Sequence, residues 1–284
     1  MANNKFVKPL FIFAVLVVAA GVYFWFSGRS VDIVNRQSVY KPTHLYGNND
    51  VSIEKIKLMV FYAVPGDRSG LIYGKWREIM KKPLEKISDF HKLQFHGGSE
   101  IDYEIYPKPV ILENSGSFYD SNNNGNAKAL KLVAEELEKR AFKKNGDLYL
   151  ENFAVSPRGD YPVLGIIYEG FGAIGGVIEE SGLESEQEFA KLKNLPESVI
   201  FKTSVESANG FFLLSRGYLS EPEFEFYGQS FLYHEFAHTF GVQDYYDHET
   251  GLAFSDDIMG AGRWRSLESN FISSDILKEL GAMN

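Results

Sequence analysis

Two histidines four residues apart, with a glutamate directly after the first, make His234-Glu235-Phe236-Ala237-His238 the part of this chain best suited to chemistry. On a helix the two imidazoles fall on one face, one turn apart, and both can reach a single ion. Glu235 sits at the rim of that face, where a carboxylate can hold a water and take its proton. Gly241 follows where the helix should end, because glycine tolerates the positive φ of a terminating turn. The chain can then double back and bring in Asp244, ten residues after His234, as a third protein ligand. Three ligands leave a fourth tetrahedral position open, the arrangement of a catalytic zinc rather than a structural one. Zinc lowers the pKa of a water in that position to about 7, which supplies a nucleophile near neutral pH without a covalent intermediate. The chemistry implied is hydrolysis by a metal-activated water, with Glu235 as general base.

The run His234 to Asp247, HEFAHTFGVQDYYD, resembles the metzincin signature HExxHxxGxx followed by His or Asp. It is most similar to the bacterial immune inhibitor A family, in which Asp takes the third ligand place and a Tyr and Asp pair follows. Ser255 to Gly262, SDDIMGAG, is similar to that family's lead into a methionine turn. The resemblance implies that Met259 is the Met-turn residue, supporting the histidine ligands from below. A buried, gap-filling methionine is the plainer reading of the same residue. The resemblance also implies a zinc endopeptidase acting on proteins or peptides. Its fold would be α+β and metzincin-like (zincin), with a mixed, mostly parallel sheet, an active-site helix and a Met-turn. The likeness covers about His234 to Gly262. No Tyr stands two residues after Met259, so an astacin-type tyrosine ligand is absent.

Other residues compete for roles around this centre. Glu249, Glu268 and His248 are alternative downstream ligands, but only Gly241 and Asp244 fall at the metzincin offsets. Tyr245 or Tyr246 can donate a hydrogen bond to a developing oxyanion, or both can simply pack; the sequence favours neither. Asp247 and Asp257 can orient ligands, bind a structural cation, or serve as solvated or capping residues. Asp120, Asn122 and Asn124 in DSNNNG have the spacing of a Ca2+ loop, yet Lys131 stands where the bidentate Glu belongs, so an Asn-rich cap is the competing reading. The Gly-rich run Glu169 to Gly176 suggests a flexible loop or edge beside the cleft that could accept an extended peptide, or a plain mobile hairpin. His91 and His96 read as structural or solvated rather than as ligands.

The elements that must position these groups follow from periodicity. Ser52 to Val64 reads as a strand ending at Pro65-Gly66, and Ile101 to Ile105 alternates as a half-buried strand. Trp76 to Leu93 and Asn126 to Phe142 have helical spacing, the first with Pro83 as a point of kinking or splitting. Val163 to Tyr168 and Phe211 to Ser215 add strands, and Gln229 to Phe240 is the active helix. This order predicts an α+β fold with a mixed sheet.

Hydrophobic residues make up 44% of the 284-residue chain, enough for a sizeable core, and the net charge of -9 with no basic cluster argues against a nucleic-acid partner. Cysteine is absent, which removes disulfides and any Cys-based zinc site. Leu10 to Phe26 is uninterrupted by charge, preceded by Lys5 and Lys8, and closed by Tyr23 to Phe26 as an aromatic belt would close it. The expected layout is a cytoplasmic terminus (1–8), a transmembrane signal anchor (9–27), a polar linker (28–50) and an extracytoplasmic catalytic domain (51–284). Secretion after cleavage near Val18-Ala19-Ala20 is the alternative. Two other functions stay open: a catalytically silent surface binding or adhesion domain on the same scaffold, and a zinc hydrolase of a non-peptide substrate.

Overall fold

Lys55–Val64 is apolar almost without interruption, as a strand must be when both faces of its sheet are covered. The computed structural model describes residues 42–120, 130–142, 160–180 and 200–283, and shows this strand at the heart of a seven-stranded sheet. The strands are β1 (His44–Leu45), β2 (Asn48–Ser52), β3 (Lys55–Val64), β4 (Glu100–Ile105), β5 (Val110–Ile111), β6 (Asp160–Tyr168), β7 (Ala173–Glu180), β8 (Ile200–Thr203) and β9 (Gly210–Ser215). The main sheet has the order β4-β3-β6-β9-β7-β8, with β5 also paired to β3. β3, β4, β5, β6 and β9 are parallel; β7 runs antiparallel to β9, and β8 runs with β7. The architecture is therefore α+β with a mostly parallel, mixed sheet.

Alternation along β3 divides the core in two. Met59, Phe61 and Ala63 join Leu164, Ile166, Phe211 and Leu213 beneath helix α2 (Lys131–Leu137), through Val133, Ala134 and Leu137. Leu58, Val60, Tyr62 and Val64 face the other way, towards helices α1 (Trp76–Gln94), α3 (Gly228–His238) and α4 (Ser274–Glu279). Successive side chains of a strand leave on opposite faces, so one apolar run serves both layers.

Several boundaries differ from the expected ones. α1 runs unbroken through Pro83, because the buried Met80, Pro83, Leu84 and Ile87 seat the helix on the core and outweigh one missing backbone hydrogen bond. The helix expected over Asn126 to Phe142 is described as α2 and a π-helical turn, Glu138–Phe142, while 126–129 lie outside the described residues. The polar linker expected up to residue 50 is shorter: β1 and β2 form a hairpin within the domain. Tyr46 N–H donates to Phe240 O at 3.0 Å and His44 N–H to Leu280 O at 3.0 Å, with Leu45 buried beside them. The apolar run Leu10 to Phe26 lies outside the described residues, and among the described residues no helix is long and apolar enough to cross a membrane.

The run Glu169 to Gly176 is not a flexible loop. Glu169–Gly172 is a tight turn, with Gly172 at φ 124, and Ala173 onward is the strand β7, hydrogen-bonded along β9. Its glycines serve packing: a Cβ on Gly175 would lie 2.0 Å from the Glu235 carbonyl oxygen, and one on Gly210 would lie 2.6 Å from that of Thr239. Bare backbone on two neighbouring strands thus lets α3 rest directly on the sheet.

Behind α3, His91 is fully buried. One ring nitrogen pairs with Tyr233 Oη at 2.8 Å and the other with Ser99 Oγ at 2.8 Å, so both polar atoms are satisfied without charge. Burial pushes its pKa down to about 3. Unfolded histidine titrates near 6.5, so the neutral ring contributes stability that is complete above that value and falls as the pH drops towards 3. Unfolding free energy is expected to fall by about 2 kcal/mol more in the native chain than in a His91→Gln chain between pH 7 and pH 5, measured by denaturant titration.

Candidate metal centre

Helix α3 is apolar on nearly every side and buries all residues from Ser230 to His238, which is unusual for a segment carrying two imidazoles and a carboxylate. The histidines tolerate burial because each has one ring nitrogen satisfied by backbone. His234 Nδ1–H donates to Ile258 O at 3.0 Å, and His238 Nδ1–H donates to Val242 O at 2.6 Å. Those bonds select the tautomer and leave both Nε2 atoms as bare acceptors.

After His238 the helix stops as expected. Gly241 adopts φ 92, its N–H caps the His238 carbonyl at 3.0 Å, and the reversed chain brings Asp244 back to the imidazoles. Asp244 Oδ1 lies 3.0 Å from His234 Nε2 and 3.4 Å from His238 Nε2, and the two Nε2 atoms are 3.2 Å apart. Buried Oδ1 nevertheless makes no hydrogen bond of acceptable geometry. Three potential electron-pair donors thus face one point.

A tetrahedral zinc with bonds of 2.0–2.2 Å sets its ligands about 3.3 Å apart, which matches all three separations. Two imidazoles and one carboxylate also suit zinc better than the oxygen-seeking calcium or magnesium. The residues present therefore fit the metal that the spacing implies, and His234, His238 and Asp244 are the group able to hold an ion among the described residues. In the metal-free chain, burial opposes protonation of His238, but the Asp244 carboxylate more than offsets it and raises the ring to about 9. Burial also acts against ionised Asp244, yet contact with both imidazoles holds it well below the usual carboxylate range. A proton held this way is what metal loading would displace.

Glu235 is buried beside the centre and outside the ligand set, and desolvation raises its pKa to about 7. Met259 is buried. The carbonyl before it, of Ile258, receives His234; its own carbonyl accepts Tyr245 N–H at 2.9 Å; and its N–H bonds Asp257 Oδ1 at 3.1 Å. Asp257 is 1% exposed and also accepts Ser255 Oγ–H at 2.6 Å and Ser273 N–H at 3.3 Å, so it caps the methionine turn and has no free edge for a cation.

The two tyrosines separate clearly. Tyr245 turns away to pair with Tyr46 at the edge of the core. Tyr246 faces the site: its ring lies 6.0 Å from that of His234, and the negative charge of Asp244 reaches its phenol. Asp247 is half-buried and holds its own loop, accepting Thr250 N–H at 2.7 Å and Glu249 N–H at 2.9 Å. Of the rival ligands, Glu249 is exposed in that loop, and Glu268 is paired with Lys86 on the surface. His248 reaches the other Asp244 oxygen, Oδ2, at 3.1 Å, and so braces the carboxylate from outside.

The calcium loop loses its first ligand. Asp120 Oδ1 accepts Arg68 at 3.0 Å, Tyr168 Oη–H at 2.8 Å and Phe171 N–H at 3.1 Å, while Oδ2 takes the second Arg68 nitrogen at 2.5 Å. A cation would have to displace a guanidinium there; Asn122 and Asn124 lie outside the described residues. His91 is structural, as described above, and His96 is exposed at the C-terminal end of α1 with φ 51.

One residue beside the centre escaped the sequence reading. Arg263 is 6% exposed, stacks its guanidinium 3.5 Å from the centre of the Tyr246 ring, and donates to Gly260 O at 2.8 Å. The signal was a lone arginine in the otherwise small and apolar stretch Ile258 to Trp264. A search of family models finds none that matches this chain, and a search of curated proteins finds no matching relative.

Proposed function

We propose that the chain is a zinc-dependent endopeptidase of metzincin type, hydrolysing proteins or peptides outside the cytoplasm. The observation that carries this reading is the convergence of His234 Nε2, His238 Nε2 and Asp244 Oδ1 on one point, with Asp244 Oδ1 lacking any hydrogen-bond donor. When bound by these three residues, zinc would supply Lewis acidity and lower the pKa of a water to about 7.

The chain's own groups do the rest. Glu235 takes the proton of the attacking water and returns it to the departing amine. Tyr246 offers a phenol to the carbonyl oxygen as negative charge develops on it. Met259 and the capped turn above Asp257 hold His234 in place through Ile258 O. Among the described residues nothing pairs with Ala173 to Gly176 on the side away from β9, so an extended substrate backbone has an edge of β7 to align against. The apolar segment Leu10 to Phe26 would hold the enzyme at a membrane, through the residues that precede the β1 and β2 hairpin.

The test uses the full chain purified in detergent. It is expected to bind about one zinc per chain and to cleave members of a peptide library, with activity removed by a chelator and restored by zinc. Full zinc loading with every peptide left intact would overturn the peptidase reading.

A further inference from the structure

Arg263 is a largely buried cation that feels the carboxylates of Asp244 and Glu235 at longer range. Among the described residues no carboxylate lies within salt-bridge distance of it, and its one hydrogen bond runs from a single terminal nitrogen to Gly260 O at 2.8 Å. Tyr246 covers one face of the guanidinium, so the group is held as a fixed plane, and since none of its other nitrogens is both buried and unpaired, those N–H donors reach solvent. A guanidinium fixed in this way beside the metal-ligand set, with N–H donors open to solvent, is placed to receive an incoming anion.

The charge balance of the centre points the same way. Two neutral imidazoles, Asp244 and Glu235 together with a dication sum to zero, so Arg263 leaves one positive charge over. The guanidinium fork matches a carboxylate in geometry, with two parallel N–H donors. Tyr246 neighbours both parties: its ring carries Arg263 at 3.5 Å and lies 6.0 Å from the ring of His234. Anything bound by Arg263 is therefore held beside the metal ligands.

We propose that Arg263 is the specificity residue of the cleft and takes a substrate carboxylate flanking the scissile bond, so that the preferred substrates are acidic at that position. This inference rests on the hydrolase reading above. Two sources supply the same chemistry, an Asp or Glu side chain and a free chain terminus, and matched peptides separate them.

The zinc-loaded full chain is offered peptide pairs that differ only by Glu against Gln beside the cleaved bond, and pairs that differ only by a C-terminal acid against its amide. One of the two sets should show about a 10- to 100-fold preference for the acid, expressed in KM rather than kcat. Arg263→Gln should erase the preference, raising KM for the acid far more than for its neutral partner, and Arg263→Lys should restore part of it. If Arg263→Gln fails to fold, the Lys variant and the preference of the native chain decide. Equal hydrolysis within both sets would overturn the proposal. So would an equal loss of kcat on every peptide in the Gln variant, which would mark Arg263 as a group acting on the reacting carbonyl.

Binding of the same pairs to a Glu235→Gln chain, followed by calorimetry, separates the two readings. Preferential binding of the acids with no hydrolysis by the native chain leaves carboxylate recognition standing and removes the peptidase. Hydrolysis without preference does the reverse.

Discussion

A Glu235→Gln chain is expected to retain its zinc and to lose peptide hydrolysis by about 10²- to 10⁴-fold or more, because the side chain that accepts the water's proton is replaced by one that cannot. Metal is retained because Glu235 stands outside the converging set of His234, His238 and Asp244. Gln also has nearly the same volume, so packing is kept at a position only 8% exposed. Zinc content by metal analysis and turnover on the best library peptide check the two halves separately; full activity in the variant would remove Glu235 from the mechanism.

The same substitution carries a second signature. Burial raises the Glu235 carboxyl from 4.5 to about 7 in the metal-free chain. The folded state then holds a proton that the unfolded state has released, so stability is lost as the pH climbs from 4.5 through 7. Gln avoids that loss. The metal-free variant should therefore be more stable than the metal-free native chain above pH 7, by about 2–4 kcal/mol. A combination of higher stability and lost activity is what a buried catalytic base predicts, and what a merely structural glutamate does not.

Gly175→Ala should cost about 3 kcal/mol and weaken zinc binding, although residue 175 lies on a strand and makes no contact with the metal ligands' side chains. The added methyl carbon would sit 2.0 Å from the Glu235 carbonyl oxygen and 2.8 Å from its carbonyl carbon. Both are backbone atoms in the middle of α3, so no rotamer change relieves the clash and the helix must lift from the sheet. A lift of that size moves His234 and His238 away from Asp244, which arrives on a separate segment. Gly74→Ala is the control: nothing lies within 4 Å of its added carbon, and its effect should stay within about 0.5 kcal/mol. Thermal melts and zinc titration of both variants check this, and equal behaviour would show that the close approach is not needed.

These cases show where sequence reasoning works and where it stops. The spacing of His234, Glu235, His238, Gly241 and Asp244 was legible because each rule involved is local: one turn of helix, one glycine stop, one short return. Strands β3, β6 and β9 were legible because buried parallel strands are written as apolar runs. The glycines of β7 left loop, edge and hairpin open in the sequence because their purpose is a contact with a helix more than fifty residues later, which no local pattern records. Pro83 carried a warning about α1 that tertiary packing overrides. The hairpin ahead of β3 was taken for a tether because its polar turn hides one buried leucine. Arg263 was passed over because an arginine is ordinarily a surface residue, and only the Tyr246 ring above it reveals that this one is not.

The hairpin also gives the domain a mechanical entry point. Tension on residue 42 would be taken up by Thr43, which is bonded to Gly98 and Ile53, and then by the backbone bonds His44 to Leu280 and Tyr46 to Phe240. The second of these grips the chain two residues beyond His238. A pull on the hairpin would thus be passed on to the end of α3, making the hairpin a strain gauge for the residues that would hold the metal.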